Sequence, residues 1–430
     1  MPQFVKSEIK LTIGILVSNQ IKYIKKAMDS IKPLLSCVAS ELIVVDTIGE
    51  EKSDGSLAIA EEYTDKVYHF EWIDDFSAAR NVAMEHAKGE WFMFFDDDEV
   101  FDDVRELIDF FNSGECEKYN YGQYYVLNYT DNEHFQKDVV GRLIRRTEKT
   151  RFEGIIHERY NEAYPPVKQF NTFVHHYGYM FVTREQMEEK NKRNLKLLDK
   201  AYERDGASLH ICMQIVQQLM VPNPEEAEKR CDLFLKVFEE TEELETPEGQ
   251  WLIVSKLRIR VILGKLDSVL SCEKELIQKY RLNETARLVM AHRTAFAAVK
   301  ENAYDIAADC ARNYFFLLDR LKKNDKMRIA QAIIDFSSFM CGDRLFVMTE
   351  IGIVSENALG NYEKAFSYIK YLDYDYCRDY DEIREVIKTT LNGMKNPEPM
   401  IEYYKKFYKE DFFVNPRLHK YLPKDIRNRL

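Results

Sequence analysis

Residues 91–100 read WFMFFDDDEV, five large apolar side chains followed by Asp96, Asp97, Asp98 and Glu99. A strand exposed on one face alternates apolar and polar residues. An unbroken apolar run of strand length belongs to a strand covered on both faces. The chain therefore buries 91–95 and sets four neighbouring carboxylates where the burial ends. Crowded carboxylates repel one another and raise each other's pKa, so something positive belongs among them. Two readings stay open from these residues alone. Acids two apart at the exit of a buried strand can present oxygens to a hard divalent cation. A solvated acidic turn, or a helix N-terminus that favours Asp and Glu, has the same composition.

The sequence on the N-terminal side fits a covered strand. KLTIGILVSN (10–19) is a buried strand, and IKYIKKAMDSI then places Ile21, Ile24, Met28 and Ile31 at helical spacing. ELIVVDT (41–47) is a second strand, SDGSLAIAEEYTD a capped helix, and KVYHF (66–70) a third strand. FSAARNVAMEHAKG is a third helix, with Gly89 expected at the position that closes it. Strands alternating with helices imply a parallel sheet covered on both faces, with ligands bound beyond the carboxyl ends of the strands. Three of these ends carry polar groups: Asn19, Asp46 and Asp96 to Glu99. They would converge on one rim, as a nucleotide pocket requires. Neither G-x-G-x-x-G nor G-x-x-x-x-G-K occurs in this region, so a dinucleotide cofactor or a P-loop is unsupported.

Bulk properties narrow the class. A chain of 430 residues suggests two or three domains. A net charge of −12 argues against a nucleic-acid binder held by general electrostatics. The eight cysteines form no C-x-x-C pair and most fall in helix-like segments, which points to reduced, buried thiols rather than zinc. The first twenty residues show no signal-peptide pattern, and no apolar run approaches the ~18 residues that span a bilayer. A soluble, cytoplasmic protein without a membrane span is the expectation.

From about Arg184 strand signals stop. REQMEEKNKRNLKLLDKAYERDG reads as a long amphipathic helix, and further helices follow. NALGNYEKAFSYIKYL resembles a tetratricopeptide helix pair, with Leu359, Gly360, Tyr362 and Ala365 at favoured positions. Such pairs stack into scaffolds whose concave face commonly binds peptide. The expected division is 1–182 and 183–430, the second part serving acceptor binding, dimerisation or both. The aromatic EPMIEYYKKFYKEDFF near the end is a candidate homodimer contact. GRLIRRTEKTR concentrates Arg142, Arg145, Arg146 and Arg151, read either as a solvated strand face or as a contact to diphosphate or acidic peptide.

Six stretches, ILVSNQ, LIVVDT, DDFSAARN, WFMFFDDDE, FEGIIHE and HHYGY, occur in that order over residues 10 to about 180. In them the chain resembles family 2 glycosyltransferases. Beyond them it is similar to members with a tetratricopeptide-like tail, among them the sublancin- and thurandacin-type enzymes that attach sugar to a cysteine thiol of bacteriocin peptides. The resemblance implies an α/β, Rossmann-like GT-A nucleotide-sugar domain followed by an all-α TPR-like domain. It implies a UDP-sugar donor, UDP-glucose first among candidates, with Mn2+ or Mg2+, and a peptide acceptor modified on Cys or Ser. By the same resemblance Asp46 contacts the nucleoside, with Val17, Asn19 and Thr47 in the neighbouring strand-exit stretches. The segment Asp75 to Asn81 lines base and diphosphate through Asp75, Phe76, Ala79 and Arg80, the guanidinium of Arg80 matching phosphate geometry. Asp96 and Asp98 take the outer positions of the D-x-D motif, Asp98 as direct metal ligand, and His176 completes the coordination. Asp97 departs from the small residue usual at the middle position, and the loop DTIGEEKSDGS is longer and more acidic than the common form.

The chemistry implied is a single displacement with inversion at the anomeric carbon. A divalent ion bridging the phosphates would stabilise the leaving diphosphate, and an imidazole ligand tilts the choice towards Mn2+. FEGIIHERY offers Glu158 as base with His157 second, against a reading in which Glu158 is salt-bridged and His157 packed. A thiol acceptor lessens the demand for a base, since a cysteine of pKa about 8.5 is already a few per cent thiolate at neutral pH. His175 and His176 alternate on a strand, so one of them at most reaches the metal. The alternatives are transfer to a cell-surface glycan or lipid-linked saccharide, and an inactive TPR-type adaptor.

Overall fold

The computed structural model describes residues 2–129, 134–180, 183–333, 336–372, 381–396 and 398. The chain divides into two compact units, Met1–Gly206 and Ala207–Leu430. The sequence put the division after residue 182; the break after Gly206 leaves the helix that follows that point with the first unit.

In the first unit the expected alternation is present: β1 (Leu11–Val17), α1 (Ile24–Cys37), β2 (Ser40–Asp46), α2 (Ser56–Glu61), β3 (Val67–His69), α3 (Phe76–His86) and β4 (Trp91–Asp96). There follow β5 (Glu99–Phe101), α4 (Arg105–Asn112), β6 (Tyr121–Tyr129), β7 (Phe135–Arg145), β8 (Phe152–Glu153), β9 (Arg159–Tyr160), β10 (Val167–His176) and α5 (Arg184–Asp205). Eight strands form one sheet in the order β3-β2-β1-β4-β7-β6-β10-β5, and β8 pairs with β9 apart from it. The first four strands run parallel and β7 is antiparallel to both its neighbours, so the sheet is mixed. This is a Rossmann-like α/β architecture.

Burial explains the apolar run of β4. Trp91, Met93 and Phe95 enter one core with Ile24, Met28 and Ile31 of α1 and Phe110 of α4. Phe92 and Phe94, pointing the other way, enter a second core with Ala83 and Met84 of α3. Both faces are covered, and the run has no need to alternate. One expectation is corrected. α3 closes at Ala87 in extended conformation, and Gly89 has a different job. A Cβ there would stand 2.5 Å from the amide nitrogen of Thr12, so glycine lets β1 and the entry to β4 approach.

The second unit is helical: α6 (Leu209–Leu219), α7 (Pro224–Val237), α8 (Pro247–Ile262), α9 (Leu266–Lys279), α10 (Glu284–Lys300), α11 (Tyr304–Lys323), α12 (Asp325–Gln331), α13 (Ser337–Met340), α14 (Asp343–Ala358), α15 (Tyr362–Ile369) and a last helix, Asp381–Gly393. Three turns repeat one device. Gly264, Asn302 and Gly360 each take the left-handed conformation, with φ of 69°, 57° and 73°. The next amide in each case bonds back five residues: Lys265 to the Arg260 carbonyl, Ala303 to Ala298 and Asn361 to Glu356. These are helix ends of the Schellman type, and they fold α8 onto α9, α10 onto α11 and α14 onto α15 as paired helices. The proposed dimer segment lies, after Glu398, outside the described residues.

Candidate active site

The parallel register aligns the strand exits. Val17 lies opposite Asp46, and Leu16 opposite Asp96. Asp97 and Asp98 form the turn between β4 and β5. β5 then pairs with β10 so that Glu99 faces His176. Strand pairing thus carries a histidine 78 residues further on, from 98 to 176, to the acidic tip.

The positive partners of that tip are two arginines. Arg80 on α3 gives Nη2 to Asp96 Oδ1 at 2.8 Å and Nε to Glu158 Oε1 at 2.5 Å. Arg142 on β7 gives Nη1 to Asp96 Oδ2 at 3.2 Å and Nη2 to Glu99 Oε1 at 2.6 Å. Both guanidinium groups lie against the Phe94 ring, 4.3 and 4.1 Å from its centroid. Arg80 and Arg142 are buried, as is Arg145, so the reading of the GRLIRR segment as a solvated face is corrected. β7 runs antiparallel beside β4, which aims Arg142 at the carboxylates, while Arg146 donates to the carbonyls of Ala87 and Gly89.

Burial alone would raise the Asp96 carboxyl, yet Arg80 and then Arg142 hold it well below the usual range. With both oxygens taken, Asp96 is committed to arginine. Asp97 accepts from the Ser18 amide at 2.6 Å and the Ser18 hydroxyl at 2.9 Å. Burial, then Asp98, pushes its carboxyl up to about 8. Asp98 is the remaining acid of the turn, and its Oδ1 lies 3.4 Å from His176 Nε2. His176 Nδ1 bonds the Asn128 amide oxygen at 2.5 Å, which leaves Nε2 turned to the tip. Burial works against charge on His176, but the Asp98 carboxylate outweighs it and the pKa rises. His175, on the other face, bonds the Tyr129 hydroxyl.

Gly178 shapes the space beside this pair. A Cβ there would stand 2.6 Å from both Asp98 Oδ2 and His176 Nε2. A carboxylate oxygen and an imidazole nitrogen therefore border a gap kept open by a missing side chain. Among the described residues no three His, Cys, Asp or Glu side chains gather as a self-sufficient metal site. The pair fits instead a Mg2+- or Mn2+-type ion that takes one or two protein ligands and completes its shell with substrate phosphate and water.

The tip opens into a cavity of about 930 Å³. Of the residues singled out in the sequence, Thr47, Phe76, Arg80, Asp96, Asp97, Asp98, His157, Glu158 and His176 line it. The other five do other work. Val17 is buried in the strand core, and Ala79 is fully buried on α3. Asn19 ties to the backbone of Lys52 and Asp54. Asp46 accepts from the amides of Ile48 and Gly49 and pairs with His69 at 2.9 Å. Asp75 caps α3 through the Ala78 amide and meets Arg204 at 2.9 Å. The sequence reading missed Trp72, Tyr179 and, from α5, Gln186, Lys190 and Arg193, all of which line the cavity. His157 carries φ of 55°, a left-handed backbone costly for a side-chain-bearing residue, which turns the β8–β9 loop into the cavity.

Residues 12–189 match the family described as Glycosyl transferase family 2. Over 202 residues the chain is 31% identical to the SPbeta prophage-derived glycosyltransferase SunS of Bacillus subtilis (strain 168), covering 44% of each chain. The match thus spans less than half of that relative's length. Over 90 residues it is 34% identical to a TPR repeat-containing protein of Synechococcus elongatus, 21% of each chain. Among solved structures, S. aureus TarS 1-349 in complex with UDP-GlcNAc is 15% identical with a TM-score of 0.30, covering 73% of this chain and 92% of that one.

Proposed function

We propose, from the premise that residues 12–189 are a family 2 glycosyl transferase domain, that the chain is a metal-dependent, inverting hexosyltransferase using a UDP-sugar and a peptide acceptor. One observation carries the donor half: Asp98 and His176 border the Gly178 gap beside Arg80, whose Nη1 is buried without a hydrogen-bond partner. A buried, unpaired guanidinium NH is costly, and a diphosphate oxygen would satisfy it if the cavity wall gave way to admit one. Asp98 and His176 would hold Mn2+ or Mg2+, which when bound supplies Lewis-acid stabilisation of the departing diphosphate. Asp96 and Glu158 fix Arg80 beside the cavity, so that its charge is in position before a phosphate arrives.

Glu158 is the base in this reading. Arg80 takes Oε1, and Oε2 is the oxygen left to accept the acceptor's proton. His157 stands beside it in the cavity wall. The peptide acceptor, Cys or Ser, rests on the resemblance set out above and on the paired helices of the second unit, an arrangement suited to holding extended or helical peptide. The seven cysteines described are all free thiols, which suits a cytoplasmic enzyme working among nucleotide sugars. No helix among the described residues is long and apolar enough to cross a membrane.

The test is release of UDP from UDP-glucose with Mn2+, followed by mass spectrometry of a Cys-containing bacteriocin precursor peptide. A hexose added to the peptide supports the whole reading. Release of UDP with every peptide left bare and a glycan modified instead would keep the donor half and reject the acceptor half.

A further inference from the structure

Four neighbouring strands of the sheet carry one polar row to the acidic tip. In the order β7-β6-β10-β5, β6 sets Asn128 beside His176 of β10, and β10 in turn sets His176 opposite Glu99 of β5. On its other side β6 pairs antiparallel with β7, so that Asn128 stands opposite Gln136 and Val126 opposite Asp138. Side chains two apart on a strand share a face, which brings Gln136 and Asp138 to the side of the sheet that holds Asn128. The Tyr177 amide donates to the Asp98 carbonyl at 3.1 Å, which ties the end of β10 to the turn that bears the acids.

The hydrogen bonds along this row have a direction. A carboxylate accepts and cannot donate. That of Asp138 takes the Asn128 amide NH2 at 2.8 Å and the Gln136 amide NH2 at 2.9 and 3.1 Å. With its NH2 turned to Asp138, Asn128 keeps its carbonyl oxygen for His176 Nδ1, at 2.5 Å. An oxygen there requires the ring hydrogen on Nδ1, and a neutral ring then presents a bare lone pair at Nε2. Nε2 lies 3.4 Å from Asp98 Oδ1. Two electron-rich atoms so placed repel unless a cation lies between them. A reversed Asn128 amide would undo the order: its NH2 would face Nδ1, move the ring hydrogen to Nε2 and block the ligand atom.

We propose that Asp138 is a positioning residue for the metal: through Asn128 it holds the hydrogen of His176 on Nδ1 and so keeps Nε2 ready as a ligand. This rests on the metal reading above. Asp138 stands two strands away from His176 in the sheet and is not one of the residues that line the cavity. Its effect reaches the site by choosing which way one amide points. Asn128 alone has little such preference, since its oxygen and its NH2 differ in hydrogen bonding far more than in size.

The experiment uses the full chain and two readouts. The first is NMR of the metal-free protein with 15N-labelled histidine rings, at a pH where the His176 ring is neutral and with its signal assigned by its loss in His176→Gln. The parent should carry the ring hydrogen on Nδ1, and Asp138→Asn should move part of it to Nε2. The second is Mn2+ binding with UDP present, followed by the EPR signal of the free ion. Asn128→Leu keeps the size and removes the oxygen, and should weaken Mn2+ binding about tenfold or more. The exchange Asn128→Asp with Asp138→Asn keeps an oxygen towards Nδ1 and a donor behind it, and should return binding to within about threefold of the parent. A parent ring with its hydrogen on Nε2, or a ring signal that Asp138→Asn leaves unmoved, overturns the proposal and leaves the metal reading intact. So does a loss of Mn2+ binding as large in the exchange as in Asn128→Leu, which would mark a disturbed strand. Failure of the parent to bind Mn2+ with UDP overturns both. Should Asn128→Leu not fold, the ring signals of the parent and Asp138→Asn decide.

Discussion

The two units spend their interiors differently. The first buries charge: Arg80, Arg142, Asp97, Asp98 and Glu99 are all below a tenth exposed, beside a cavity. The second buries small apolar surfaces, as where Ala291, Ala295 and Ala298 of α10 and Ala307, Ala308 and Ala311 of α11 are fully enclosed and the two helices pack together. Its buried Glu356 serves architecture, taking Arg312 and Asn361 at the α14–α15 turn. Buried charge is a poor source of stability. Keeping so much of it in one corner makes sense where a charged ligand is handled, and tight alanine packing makes sense where a scaffold must hold its shape. Damage should therefore separate: charges removed from the cavity wall of the first unit abolish turnover, and bulk removed from the second costs stability alone.

The sharpest way to break this contrast is Asp98→Ala. UDP release should fall about a thousandfold, with the melting temperature close to the parent's. A variant that keeps even a tenth of the parental rate would remove the metal from this turn. Next is Arg80→Met, which takes the arginine from Glu158 and leaves Asp96 with Arg142 alone. Urea unfolding should show a loss of about 3–5 kcal/mol, and UDP release should fall about a hundredfold. Loss of stability with full activity would mean that Arg80 is structural only. On the other side, Leu318→Ala on α11, fully buried in the parent, should cost about 2–5 kcal/mol while UDP release per folded molecule stays the same. A fall in that rate would couple the scaffold to donor chemistry and blur the contrast.

The smallest effect concerns Glu41, a buried charge of the first unit with no place in the cavity. It accepts from the Thr12 hydroxyl, the Lys66 ammonium and the Lys88 amide, each at 2.6 Å. Burial raises its carboxyl, but Lys66 and Thr12 together lower it below the ordinary value of 4.5. A carboxyl whose folded pKa is depressed contributes stability above its unfolded value, and that contribution is lost as pH falls through the folded value. Glu41→Gln should cost about 1 kcal/mol at neutral pH and flatten the acid limb of the stability curve below pH 4.5. An acid limb as steep as the parent's would assign the acid sensitivity to other carboxyls.

Much of the first unit was legible because strand burial writes itself into sequence. The apolar runs at 11–17, 42–45 and 91–95 are the strands β1, β2 and β4, and the carboxylates beyond β4 do sit at the cavity rim. Arg142 was harder. An arginine in a β-strand looks solvated until one knows that the neighbouring strand ends in Asp96, a pairing that links residues 46 apart. α5 was harder still, because helical periodicity shows that a face is buried and not which body buries it. The signal that could have helped was the stripe Lys196, Lys200 and Arg204, four apart, with Asp74 and Asp75 waiting far upstream. Asp46 and Asp75 show the converse: acids at strand exits and helix starts are also what turns and caps demand, and local amides claimed both.

Gly178 does not adopt the left-handed backbone, so alanine fits the chain there, yet its methyl carbon would collide with the two groups that face the opening. One added carbon would act as a stopper in an otherwise unaltered protein. If the helical unit grips the acceptor, as proposed, a chain so plugged would hold it without consuming it.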